Sequence, residues 1–226
     1  MEKYFSVAID GPSGAGKSTI AKLCAEKLGF LYVDTGAIYR TIGLAALEAG
    51  ISSKDEKKVC SLLPSIKISM KYDENGLQRM FLNEKDVTPE IRMPEVSIYA
   101  SNVSAMPEVR RFLLEKQRDL AKTGNVIMDG RDIGTVVLPN AGLKIFLTAD
   151  TSERAQRRYD ELLLRGIETD YEDVLKDIEY RDLNDSTRST APLCAAEDAV
   201  VIDTTGNTLG ESYKLVCELI KERMSY

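Results

Sequence analysis

The sequence predicts an α/β chain built on a parallel sheet, with one small antiparallel insert. Five short apolar runs, at 5–10, 31–34, 125–129, 143–149 and 199–204, alternate with helix-length stretches. Tyr32-Val33, Val126-Ile127-Met128, Lys144-Ile145-Phe146-Leu147 and Val200-Val201-Ile202 lack polar alternation, as strands covered on both faces should. One segment breaks the rhythm. Ile66, Ile68, Met70 and Tyr72 alternate with polar residues, Asp73-Glu74-Asn75-Gly76 supplies a turn, and Leu77 to Asn83 returns, which is the pattern of a hairpin inserted beside the parallel core.

The first strand, Phe5 to Ile9, runs into Gly11, Pro12, Ser13, Gly14, Ala15, Gly16, Lys17, Ser18 and Thr19, a complete phosphate-binding loop. Its glycines let the backbone curl until the N–H groups aim at phosphate oxygens. Lys17 is spaced to reach the β- and γ-phosphates, and the Ser18 hydroxyl to reach Mg²⁺. Ile20, Leu23, Cys24 and Leu28 then recur at helical spacing, with Gly29 as the stop. Strand, loop and helix together commit the chain to a nucleoside polyphosphate.

The second strand ends in Asp34-Thr35-Gly36-Ala37-Ile38-Tyr39-Arg40, at the strand edge where open α/β sheets bind ligands. A hydroxyl, a tyrosine and an arginine there suit an acceptor carrying phosphate and ribose, with Arg40 gripping the phosphate. A blander account has Thr35 capping the helix and Tyr39 half-buried in the core. The third strand ends in Asp129-Gly130-Arg131-Asp132-Ile133-Gly134-Thr135. Asp129 is placed like the acid that holds Mg²⁺ through water in such folds; Arg131 and Asp132 either serve the ligand or form a surface ion pair. Farther on, Arg154, Arg157 and Arg158 share a helix face, and Arg181, Asp185 and Arg188 follow in the next helical stretch. Like charges so spaced repel, and a phosphoryl group in transfer would relieve them. Pairing of the first three with Asp150, Glu153 or Glu161 on a solvated face is the alternative.

Composition narrows the function classes. A chain of 226 residues, 43% apolar, buries one sizeable core and is read as a single unit. A formal charge of −6 argues against a protein that coats nucleic acid. No run approaches a membrane span, and the opening residues pass directly into the first strand, so the expected compartment is the cytoplasm. Cys24, Cys60, Cys194 and Cys217 lack metal spacing and are expected as free thiols. Histidine is absent, which removes Ser-His-Asp and Cys-His catalysis.

Over nearly its full length the chain resembles the bacterial-type cytidylate kinases, nucleoside monophosphate kinases that pass a phosphoryl group from ATP to CMP or dCMP. The resemblance rests on the loop from Ile9 to Ser18, on Asp34 to Arg40, on Asp129 to Thr135, and on Arg181-Asp182 with Asp185-Ser186-x-Arg188-x-x-Ala191-Pro192-Leu193. It implies a five-stranded parallel sheet flanked by helices, with a core of 1–40, 99–151 and 189–226. It further implies a monophosphate-binding region with the β-insert at about 41–98, and a short helical lid at about 152–167. Ser101, Arg110 and Asp132 would read the cytosine edge, with Thr35 at the acceptor site. Tyr39, Arg181 and Asp185 would contact the ribose, and Arg40, Arg131 and Arg188 the acceptor phosphate. Arg154, Arg157 and Arg158 would cover the ATP phosphates. Many members of the family have serine where Thr35 stands; the hydroxyl is kept. A monomer acting on small molecules, with ATP and Mg²⁺, is the expectation. Two other classes stay open: a kinase of a small metabolite, which would not need Ser101, Arg110 and Asp132, and a GTP switch, whose guanine-reading Asn-Lys pair occurs nowhere here.

Overall fold

A computed structural model describes residues 4–74 and 76–224. Five parallel strands, β1 (Ser6–Asp10), β2 (Leu31–Asp34), β6 (Val126–Gly130), β7 (Leu143–Thr148) and β8 (Val200–Asp203), form a sheet in the order β2-β6-β1-β7-β8. All five residues of β1, and all five of β6, are buried, as the unbroken apolar runs require. The chain leaves β1 toward one edge and later fills the other, so β1 stands at the point where the strand order reverses, the ligand-binding position of such sheets. Its register with β6 pairs Ile9 with Asp129 and Asp10 with Gly130. The loop after each strand therefore emerges beside the other.

The helices follow the spacing read from the sequence. Helix α1 is Lys17–Leu28, closed by Gly29 in a left-handed conformation at φ 68°. Helix α2 is Thr35–Glu48, and its N-terminus is capped by Asp34, whose side chain accepts from the Ala37 N–H. Thr35 is the first helical residue and is buried, so the capping role considered for it belongs to its neighbour. Helices α3 (Glu56–Leu62), α4 (Pro94–Ser104) and α5 (Pro107–Leu120) precede β6, and α6 (Thr151–Leu164), α7 (Tyr171–Thr187) and α8 (Leu209–Met224) follow β7. No described helix is long and apolar enough to cross a membrane, and all four cysteines are free thiols.

The insert holds three strands, one more than the sequence predicts: β3 (Ile68–Tyr72), β4 (Gln78–Leu82) and β5 (Lys85–Asp86), in that order. Of the first turn, Asn75 lies outside the described residues, while the Leu77 N–H donates to Asp73 Oδ1 at 2.9 Å. The second turn is Asn83-Glu84, with φ 48° and 73°. Two left-handed residues in succession make a primed hairpin turn, and asparagine followed by glutamate instead of glycine gives little sequence signal for one.

By packing, the chain divides into two compact units, residues 1–32 with 120–226, and residues 33–119. Each has its own core. Ile9, Ile20, Ile127, Ile145, Leu147, Val216 and Ile220 fill the first, and Ile42, Val59, Met80, Ile91, Val103 and Leu113 the second. Each such side chain contributes on the order of 1.5–3 kcal/mol by burial. In the second unit α2 packs closely on α4 at Gly43, where a Cβ would stand 2.9 Å from the Ala100 nitrogen. This close approach fixes the helix that carries Ser101 against the helix that carries Tyr39 and Arg40.

Candidate active site

In the first unit the phosphate loop is shaped by its glycines. Gly11 has φ 146°, and a Cβ there would fall 1.9 Å from the Leu147 carbonyl oxygen; at Gly14, with φ 76°, it would fall 2.8 Å from that of Arg154. Only glycine lets the loop lie so close to β7 and α6. Lys17, just past the loop, is 5% exposed, and its ammonium donates to the Pro12 carbonyl at 2.6 Å. Burial, then the charge of Arg131, lowers its pKa to about 7 against the opposing pull of Asp129 and Asp10. Ser18 donates to Asp129 Oδ2 at 2.7 Å, and the Tyr32 hydroxyl to Asp129 Oδ1 at 3.0 Å. The hydroxyl of the loop and the acid at the end of β6 are therefore neighbours, a pair of hard oxygen donors suited to Mg²⁺ and its waters.

Asp10 is a residue to which the sequence assigned no role. Its carboxylate accepts from the N–H groups of Ile133 and Gly134, both at 2.7 Å. These open a five-residue π-helical turn, Ile133–Val137, immediately after Arg131 and Asp132. Burial pushes the Asp10 carboxyl up to about 6, although both N–H groups oppose this.

The arginines of the last motif meet those of the third. Arg131 Nε lies 2.8 Å from Asp185 Oδ2. Arg188, at the C-terminal end of α7, lies 3.2 Å from Asp132 Oδ1, and its Nε donates to the Ala191 carbonyl at 2.7 Å. Ala191 takes a left-handed φ of 51°, a strained conformation for a residue with a Cβ. The surface pairing of Arg131 with its own neighbour Asp132 is thus replaced by a part-buried pair and a buried pair that cross between loop and helix. Arg181 is half-buried; burial first, then Arg131, brings its pKa down to about 10, and its Nε has no hydrogen-bond partner among the described residues.

The three arginines of α6 separate. Arg154 is 4% exposed and donates to the Ser13 carbonyl of the phosphate loop at 3.0 Å, to the Ala149 carbonyl at 2.8 Å and to Asp182 at 2.6 Å. Arg157 pairs with Glu153 at 2.8 Å and reaches the Thr204 carbonyl at 2.9 Å, and Arg158 pairs with Glu161 at 2.8 Å. The glutamate pairing considered for a solvated face is present for these two and absent for Arg154.

The second unit carries the remaining predicted residues. Arg40 Nη1 donates to the Ile91 carbonyl at 3.0 Å. Arg110, 7% exposed, donates to the Ser104 carbonyl at 3.1 Å and lies 5.6 Å from the centre of the Tyr39 ring. The Ser101 carbonyl accepts from the Ser104 hydroxyl at 2.8 Å. Arg110 thus lies over an aromatic face, and Ser101 and Thr35 of the same unit are both buried.

The cytidylate kinase family profile matches residues 7–222, which include both sets of side chains. The chain belongs to the cytidylate kinase family. A cytidylate kinase of Caldicellulosiruptor bescii is 54% identical over 217 residues, covering 96% of each chain. Those of Leuconostoc mesenteroides and Carboxydothermus hydrogenoformans are 49% and 50% identical, over 98% and 95% of this chain and 99% and 96% of theirs. As a cytidylate kinase sequence it also carries residues that motif reading alone left without a role: Asp10, Tyr32, Gln78, Arg92 and Asp182. Of these, Asp10 had a signal as a charge at the end of a buried strand, and Asp182 as part of the Arg181-Asp182 motif.

Proposed function

We propose that the chain transfers the γ-phosphoryl group of ATP to CMP or dCMP, giving ADP and CDP or dCDP, in pyrimidine nucleotide metabolism. Family membership over residues 7–222 carries this reading. A phosphate monoester is already largely ionised near neutral pH, so the acceptor needs no strong base, and the barrier is one of charge and geometry. The absence of histidine costs this chemistry nothing.

Residues 11–19 cradle the donor phosphates, and Lys17 offsets their charge. Ser18, with Asp129 through water, would hold Mg²⁺, which would supply neutralising charge to the β- and γ-phosphates; the support is the 2.7 Å contact between the two side chains. Arg40, Arg131 and Arg188 orient the acceptor phosphate. Tyr39, Arg181 and Asp185 take the ribose, Ser101, Arg110 and Asp132 read the cytosine, and Thr35 serves the acceptor. Arg181 suits a ligand role, since its buried Nε has a donor to spare. Arg154, Arg157 and Arg158, in a lid at about 152–167, serve the ATP phosphates, and the lid excludes water that would take the phosphoryl group. Arg154 reaches that function through the Ser13 carbonyl.

A coupled ADP-release assay with ATP and Mg²⁺ across CMP, dCMP, UMP, AMP and GMP tests the reaction. CMP and dCMP are expected to turn over best; strong turnover of AMP with none of CMP would end the reading.

A further inference from the structure

Asp34 ends β2 and caps α2, one residue before Thr35. For the cap it needs one contact, Oδ1 accepting from the Ala37 N–H at 2.9 Å. It has three more, all from the inserted segment. Its N–H donates to Gln78 Oε1 at 2.8 Å, and its carbonyl accepts from Gln78 Nε2 at 3.1 Å. The Gln78 amide thus pairs with the backbone of Asp34 as a neighbouring strand would. Its carboxylate is also paired with Arg92, Nη2 to Oδ2 at 2.7 Å. Burial alone would raise the Asp34 pKa, but the Arg92 charge and hydrogen bond, the Ala37 N–H and Arg40 outweigh it and hold the carboxyl below its usual range.

The second hold lies farther along α2. Ile91, next to Arg92 in the 3₁₀ turn Glu90–Arg92, offers the carbonyl that accepts from Arg40. That turn is tied back to β4, through Val87 N–H to the Met80 carbonyl at 2.9 Å and Ile91 N–H to the Val87 carbonyl at 3.0 Å. One bonded circuit therefore runs from the insert to both ends of the stretch Thr35 to Arg40. The burial of Ile38, Ile42 and Ala46 already anchors α2, so the added polar contacts are more than its stability requires. They fix its first turns against rotation and sliding.

We propose that Gln78 and Arg92 are positioning residues for the acceptor nucleotide, holding Asp34 so that α2 presents Thr35, Tyr39 and Arg40 in one orientation. This rests on the acceptor assignments given under the proposed function. A displacement of a substrate-holding group by about 1 Å can cost on the order of 10²-fold in rate, so a pin outside the site can govern it.

The test is steady-state kinetics of Gln78→Ala, Arg92→Leu and Arg92→Lys, varying CMP and ATP separately, with deuterium uptake measured over residues 34–40. Gln78→Ala and Arg92→Leu are expected to lower kcat/KM for CMP by about tenfold or more, mainly through KM, with KM for ATP changed by less than about twofold. Uptake over 34–40 should rise, and Arg92→Lys should recover most of the CMP affinity. A role confined to folding would lower the melting temperature and the active fraction but leave KM for CMP alone. The proposal is overturned if KM for CMP stays within about twofold in folded variants, or if KM for ATP rises equally. Should Gln78→Ala not fold, Gln78→Glu keeps an acceptor for the Asp34 N–H but sets a charged oxygen against the Asp34 carbonyl in place of the donor, and it answers the same question. Thr35→Val and Arg40→Ala run alongside. If these leave KM for CMP unchanged, the acceptor assignments fail; if they raise it while the Gln78 and Arg92 variants do not, only the positioning role fails.

Discussion

Lys17 and Arg188 show how burial sets the behaviour of single charges. Burial and the Arg131 charge lower the Lys17 pKa to about 7, so its ammonium is expected to give up its proton more readily than an ordinary lysine as pH rises. Bound polyphosphate favours the ammonium, so ATP binding should take up a proton near pH 8 and weaken as pH rises through the lysine's free-protein range. Calorimetry in buffers of different ionisation enthalpy reads this directly; equal proton uptake by Lys17→Met would refute it. Arg188→Ala should lower kcat/KM for CMP by on the order of 10²-fold, the scale of one lost transition-state contact. A variant within about threefold of wild type removes Arg188 from the phosphate site. Both residues were legible because their motifs are short and contiguous. Gln78 was not: it is one polar position in an alternating strand, and its partner, Asp34, is 44 residues away in the chain.

The elements were legible in proportion to how continuously they are buried. Helix α1 runs from Lys17 to Leu28 as the apolar spacing and Gly29 require. The third strand of the insert was missed because β5 is two residues long and its turn is not a glycine turn. The π-helical turn at Ile133–Val137 was also invisible, since it is shaped by Asp10, more than 120 residues earlier. The burial of the Asp10 carboxyl, against the opposing N–H groups, carries a pH signature. A carboxyl raised from 3.8 to about 6 is favoured in its protonated form by the folded state, so its contribution is present at low pH and lost as pH rises through that interval. Relative to Asp10→Asn, the wild type should lose on the order of 2 kcal/mol of unfolding free energy between about pH 4 and pH 7. Urea unfolding at the two pH values measures it, and a difference that does not move with pH would contradict the assignment.

For the molecule as a whole, the sequence conveyed a parallel sheet and an insert but not the strand order, which depends on long crossovers, nor the division into two units with separate cores. The division has a ligand footprint. A non-hydrolysable ATP analogue alone should slow amide exchange over residues 6–18 and 126–130 and leave α4 unchanged, whereas CMP should slow exchange in α2 and α4. Protection of α4 by the ATP analogue alone would show that the donor also orders the second unit.

The paired arginines proposed for the acceptor phosphate have one more consequence. Arg131 with Asp185, and Arg188 with Asp132, already cancel in charge before any nucleotide arrives. An incoming phosphate therefore shares donors with resident carboxylates instead of falling onto bare positive charge, and it meets resident negative charge as it binds. On the proposed assignments such a site trades grip for exchange, and departure of the diphosphate product is expected to be eased by the same carboxylates that the monophosphate met on binding.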